Sequence, residues 1–237
     1  MIGKIMFCFF IYGFLGWCYE SFLVSIKQKH WVNRGFLSGP IIPIYAFGSL
    51  LMVLSLNQFL QYIPKNIFIQ SGILFVFGML ISTALEYIVS YGMEILFKAR
   101  WWDYSNKKLN LEGRICLGVS LIWGGATLVL WYLINPQVLK FYELIPTRFL
   151  IAVLWVIGIV FIMDLVLTIK ALIDFRKVVL EMYKIKNELL DGIDVIKNIQ
   201  EELHERIEVL EQSFIKRQRR LLLAFPNLKM KMMDDWM

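Results

Sequence analysis

Apolar residues in this chain come in long runs rather than in alternation. Five stretches qualify as predominantly apolar over their length: 5–26, 39–63, 67–97, 115–134 and 148–170. A helix needs about 20 such residues to cross about 30 Å of hydrocarbon. Each stretch therefore predicts one transmembrane span. The expected fold is all-α, a polytopic membrane helix bundle of about five spans followed by a C-terminal cytoplasmic coiled-coil helix.

The third stretch is longer than one crossing requires. It is expected to tilt or to project past the bilayer with Glu86 and Glu94 in its C-terminal part. The alternative is two half-spans broken near Gly78. Local punctuation sets the other boundaries. Ser38-Gly39-Pro40 reads as a helix start, with Ser38 capping and Pro40 in the first turn. The 62–66 segment reads as a short hairpin, and Asn135-Pro136 as the end of the fourth span. The 5–26 stretch exceeds the usual signal-peptide core of about 7–15 residues and no small-residue cleavage site follows, so it reads as a retained span.

Beyond about residue 170 the pattern changes. Met182, Leu189, Ile196, Leu203 and Leu210 recur every seven residues, and Val179, Ile193, Ile207 and Phe214 fill most partner positions. Lys186 and Gln200 interrupt that second row. This is a coiled-coil seam with polar positions available to set register. It predicts a homo-oligomer, or a partner helix; the alternative is an amphipathic helix packed on its own protein. The organisation expected is a transmembrane domain over 1–170, a cytoplasmic coiled coil over 171–216 and a basic, apolar tail over 217–237. At its start, Lys216-Arg217-Gln218-Arg219-Arg220 precedes Leu221-Leu222-Leu223-Ala224-Phe225, a pattern suited to anionic headgroups or to a solvated end.

Charge orients the spans. Lys27, Lys29 and Arg34 lie between spans one and two, and Lys98, Arg100, Lys107, Lys108 and Arg114 between spans three and four. The opposite side carries only Lys4, Lys65, Lys140 and Arg148. The positive-inside rule then puts the N-terminus outside and the C-terminus in the cytoplasm of a multi-pass protein of the cell membrane. Composition agrees: 58% of the 237 residues are hydrophobic and 19% charged, against about a quarter charged in soluble domains. The net charge of +6 sits beside span ends and forms no basic groove, so no nucleic acid partner is expected. Cys8, Cys18 and Cys116 lie in or beside spans without CxxC spacing and read as buried apolar fillers.

Ionisable side chains within a bilayer need a partner, water or a task. Glu20, Glu86, Glu94 and Asp164 are the candidates. Counting about 1.5 Å per residue puts Glu20 and Asp164 roughly 22–24 Å from the outer ends of their spans. Ser82, Glu86, Ser90 and Glu94 follow at intervals of four and share one helix face. Arg34, Arg100 and Arg114 are available on the same side, which predicts an acid–arginine network tying spans one, three and four. Such a network holds helices in register, or one of its acids binds a proton, cation or substrate; Glu20 is the deepest candidate for the second role. The 33–40 segment places Arg34 just before a helix N-terminus, where a lipid phosphate or anionic substrate group would be favoured. Trp101-Trp102-Asp103-Tyr104 suits the aromatic belt, with Asp103 and Ser105-Asn106 forming a turn.

No GxxxxGK[ST], GxSxG or HExxH motif is present, and the two histidines, His30 and His204, are far apart. No catalytic residue, cofactor or metal is expected.

The ordered motifs resemble a bacterial family. They are Phe10 to Trp17 with Glu20, Asn33 to Pro40, Pro43-Ile44-Tyr45 and Phe47-Gly48. They continue with Glu86-Tyr87, Glu94, Phe97, Arg100 to Ser105, Asn110, Gly113 to Leu117, Ser120 and Trp123-Gly124. Over roughly 5–170 the chain resembles the ABC-transporter type IV permease family. The resemblance implies a membrane permease subunit, in the lipid bilayer, working with a separate ATPase that docks on the 98–113 segment. It carries over Glu20, Arg34, Glu86, Glu94, Arg100, Asp103 and Arg114 as site residues; Asp164 joins them on its depth. A membrane scaffold or sensor that recruits partners through the coiled coil is the alternative, and a lipid-acting enzyme a third reading.

Overall fold

The computed structural model describes residues 2–62, 65–191, 218, 220–221 and 229–230. Five of its helices are long and apolar enough to cross a membrane. α1 (Ile2–Gln28) is followed by a loop over 29–42. α2 (Pro43–Phe59) tightens into a 3₁₀ turn, Leu60–Tyr62. α3 (Ile67–Phe97) is one unbroken helix of 31 residues, about 46 Å long at 1.5 Å per residue. The half-spans broken at Gly78 therefore do not form. Asn66 starts this helix by accepting the backbone N–H groups of Phe68 and Ile69 at 3.0 and 3.2 Å.

The fourth crossing differs from expectation. α4 (Leu117–Val129), a π-helical turn (Leu130–Ile134) and α5 (Asn135–Leu144) run on as one 28-residue path through Pro136. Pro136 has no N–H to donate and would clash with the carbonyl one turn back. The widened turn relieves this: the Asn135 N–H bonds the Leu130 carbonyl, five residues earlier. α2 also starts later than the sequence suggests. Its N-cap is Ile42, without a side-chain cap bond, and Pro43 occupies the first turn. Ser38-Gly39-Pro40 belongs to the loop, where the Ser38 carbonyl accepts from Asn33 Nδ2 at 2.9 Å.

α6 (Thr147–Asp191) is the fifth spanning helix and continues 45 residues in all. The first turns of the heptad seam are thus helical; its continuation over 192–217 lies outside the described residues.

Helices α1 and α2 pack together, as do α3 and α4. Gly16 and Gly78 permit these approaches, since a Cβ at Gly16 would overlap the Tyr45 ring and one at Gly78 would overlap Thr127. The largest apolar core joins α1, the 29–42 loop, α2, α5 and α6, through Phe7, Phe10, Leu37, Val53, Val138 and Phe161. Ile88, Ile122, Trp155, Ile159 and Val160 point outward and are exposed. So wide an apolar surface suits lipid and not water.

One end of the bundle gathers the 29–42 loop, the 98–116 segment and the described C-terminal residues. It carries Arg34, Lys98, Arg100, Lys107, Lys108 and Arg114, and is called the basic end below. Two short ladders lie there. β2 (Asn110–Leu111) pairs antiparallel with β3 (Ile115–Cys116), and β1 (Ala99–Arg100) with β4 (Lys229–Met230).

Candidate functional site

The i, i+4 stripe of α3 faces inward. Glu86, Ser90 and Glu94 are all buried. The Glu86 and Glu94 carboxylates are stabilised by two different groups of partners.

The first group surrounds Glu94. Its Oε2 lies 2.9 Å from Arg100 Nε and 2.6 Å from Arg114 Nη1. Arg114 also meets Glu112 Oε2 through Nε at 3.0 Å. The Arg114 guanidinium stacks over Tyr87 and Tyr91, 5.7 and 5.2 Å from their ring centroids. Only 4% of Glu94 and 5% of Arg114 are exposed, so the pair is shielded from water and each partner depends on the other. Glu112 is exposed. Its carboxyl is held below the ordinary range, chiefly by the Arg114 hydrogen bond and then by that from Tyr87.

The local sequence explains how the two arginines arrive. β2 and β3 form a hairpin, and its turn residues Glu112 and Gly113 take positive φ values of 52° and 67°. Asn110 pins the turn by accepting the Gly113 N–H at 3.0 Å and donating to the Lys107 carbonyl at 2.7 Å. Arg100 Nη1 donates to the Glu112 carbonyl at 3.0 Å. Asp103 shapes the same segment, accepting the Ser105 N–H at 2.9 Å, which is the turn its sequence suggests.

The second group sits deeper. Tyr45 Oη donates to Glu20 Oε1 at 2.7 Å. Tyr104 Oη donates to Glu86 Oε1 at 3.0 Å, and Trp123 Nε1 to Glu86 Oε2 at 3.2 Å. The Tyr45 and Trp123 rings meet edge to face at 5.7 Å. Burial pulls the pKa of Arg34 down, and the nearby Glu20 charge opposes this. Burial, followed by Glu86, pushes the Tyr104 hydroxyl well up, so it remains a donor throughout the physiological range. The cluster thus joins α1, α2, α3, α4 and both loops of the basic end.

Asp164 holds the 29–42 loop. Its Oδ2 accepts the Gly39 N–H at 2.7 Å. In the 33–40 segment the Gly39 N–H is thus taken by a carboxylate of α6 and not by an outside anion. Arg34 nevertheless shares this loop, with its N–H on Ser21 Oγ at 3.2 Å. Asn33 braces the loop by accepting from Trp17 Nε1 at 2.8 Å and from the Gly35 N–H at 2.9 Å.

The four acids expected from sequence therefore find different partners, with Asp164 on the Gly39 N–H. Arg100 and Arg114 pair with Glu94, Arg34 lies by Glu20, and Glu86 is held by neutral donors. Tyr45, Tyr104, Trp123 and Glu112 complete the site without having been singled out as site residues. The aromatic belt is also corrected. Trp101 is buried against Phe97, Leu172 and Leu221, because it closes the basic end of α3. Trp102 is only half-buried and donates to the Arg114 carbonyl at 2.9 Å. Among the described residues, no group of three or more His, Cys, Asp or Glu side chains is placed to hold a metal ion.

Residues 7–169 match the family described as "Putative ABC-transporter type IV". The chain belongs to this ABC-transporter type IV permease family. The match reaches into all five spans and stops within α6, so both groups of the site lie inside the family region and the C-terminal segment outside it. No curated protein and no solved structure matches the chain.

Proposed function

We propose that this chain is the membrane permease subunit of an ABC-type transporter, driven by a separate ATPase that docks at the basic end. In this reading that end faces the cytoplasm and the N-terminus lies outside. Family membership supports the class, and the one-sided Lys and Arg distribution supports the orientation.

The observation that carries the coupling is the Tyr104–Glu86 hydrogen bond, 3.0 Å long. Tyr104 belongs to the 98–116 segment, on which a soluble subunit would press. Glu86 lies inside the helix bundle, between Tyr104 and Trp123. Movement of the segment would draw Tyr104 off Glu86 and loosen the cluster around Glu20 and Arg34. In this reading Glu20, Arg34 and Glu86 form the transport site. Glu94, Arg100, Asp103 and Arg114 hold the docking segment, and Asp164 fixes the 29–42 loop.

Gentle purification from native membranes tests the class. A stoichiometric ATPase is expected, and Glu20→Gln or Tyr104→Phe should retain that ATPase but lose transport. Recovery of a lone homo-oligomer would sink the reading.

A specific observation favours the scaffold or sensor alternative. Glu20, Glu86, Glu94 and Asp164 each have a protein donor at hydrogen-bond or ion-pair distance. A fully paired set needs no ligand. Wild-type transport by Glu20→Gln would speak for this alternative.

A further inference from the structure

The described residues of the C-terminal segment converge on the basic end from far along the chain. Arg220 reaches the 29–42 loop, where Nη1 donates to the Gly35 carbonyl at 2.8 Å and Nη2 to the Phe36 carbonyl at 2.9 Å. Gln218 Nε2 donates to the Ala171 carbonyl on α6 at 3.0 Å. Leu221 is buried with Phe97, Trp101 and Leu172, and Phe36 packs beside them. Further on, Lys229–Met230 pairs with Ala99–Arg100, and Arg100 is also one of the arginines that hold Glu94.

These contacts have the chemistry of peptide recognition. A planar guanidinium spans two successive carbonyls as a fork, which an ammonium cannot do. An apolar side chain fills a pocket lined by Phe97, Trp101 and Leu172, and an extended stretch adds a strand to a short free edge. The receptor surface is assembled from the 29–42 loop, the end of α3, β1 and α6. Its occupant lies past residue 169, beyond the family match.

We propose that Gln218, Arg220, Leu221 and Lys229–Met230 act as an intramolecular ligand of the basic end, and that a soluble partner engaging the 98–113 segment must displace them. The second clause rests on the permease reading; the first does not. The two occupants compete because β4 covers the backbone edge of Ala99–Arg100, within the proposed docking segment. Among the described residues the footing comprises one buried leucine, two polar side chains and a two-residue ladder. Attachment to the same chain supplies the local concentration that keeps such a contact occupied.

Cysteines in register report the docking. Ala99 and Met230 are directly opposite, and Cα atoms so placed, about 4.5–5.5 Å apart, suit a disulfide. In the full chain, with Cys8, Cys18 and Cys116 changed to alanine, Ala99→Cys with Met230→Cys should cross-link in native membranes at the mass of one chain. Adding Arg220→Ala and Leu221→Asp should cut the yield about tenfold, the loss expected when docking weakens by about 1.4 kcal/mol. Arg220→Lys, which keeps the charge and loses the fork, should lower it less. Absence of the cross-link, a product at twice the chain mass, or a yield indifferent to these variants would overturn intramolecular docking.

The displacement clause has its own readout. The oxidised double-cysteine protein should retain about tenfold less ATPase than the reduced one, again the effect of about 1.4 kcal/mol. Equal retention would overturn displacement and leave docking intact. ATPase missing from both states would sink the permease reading and displacement together, while docking would still stand on the cross-link.

Discussion

Asp164 on α6 accepts the backbone N–H of Gly39, 125 residues earlier, at 2.7 Å. The bond ties the fifth spanning helix to the loop that positions Arg34 and Asn33. A carboxylate on a backbone donor is a charge-assisted hydrogen bond, worth about 1.5–3 kcal/mol. Asp164→Leu should lose that amount and leave the Gly39 N–H without its acceptor. Asp164→Asn, which can still accept, should lose less. Unfolding in detergent, followed by thermal melting, would rank the two; an equal effect would show that shape, not the acceptor, matters.

Glu94 and Arg114 form the most enclosed ion pair among the described residues. Removing one partner of such a pair costs about 3–5 kcal/mol, because the other charge stays buried. Arg114→Met should therefore destabilise more than Arg114→Met combined with Glu94→Gln. Chemical denaturation of the single and double variants measures this. Additive losses would mean that the pair is not coupled.

Acid should loosen the 98–116 segment. Glu112 titrates below its ordinary value of about 4.3, because the Arg114 hydrogen bond favours its charged form. A depressed carboxylate contributes stability above its unfolded pKa and loses it as pH falls through the lower folded value. Between about pH 6 and pH 3 the wild type should thus lose more stability than Glu112→Gln. Parallel melting curves across that range would count against the bond in the folded protein.

Gly78 sets the distance between α3 and α4. A methyl group there meets the Thr127 side chain, and overpacking of this kind costs about 1–3 kcal/mol. Gly78→Ala should destabilise by that order. Thr127→Ala, which removes the hydroxyl and γ-methyl, should recover part of the loss in the double variant. Melting of the four proteins in this cycle gives the answer.

The spans were legible because hydrocarbon demands a run of apolar residues whatever the details of packing. The stripe of Glu86, Ser90 and Glu94 was legible for a related reason: spacing by four fixes the face. The partners of those acids were harder to see. Tyr45 and Trp123 look like any apolar aromatic in a span, and only the fold shows that their polar tips meet Glu20 and Glu86. A tyrosine or tryptophan near a buried acid was the available signal. Pro136 misled because proline usually ends a helix, and here a wider turn absorbs the missing donor. Arg220 was beyond any local pattern, since its acceptor at Gly35 lies 185 residues away.

The unbroken course of α3 has a mechanical consequence. Glu86 and Glu94 stand eight residues apart on a continuous helix, about 12 Å at 1.5 Å per residue. No break lies between them to absorb motion. In the coupling proposed above, the helix would act as a pushrod: a displacement applied at Glu94 would reach Glu86 with little loss, and the deep cluster would register what strikes the surface of the basic end.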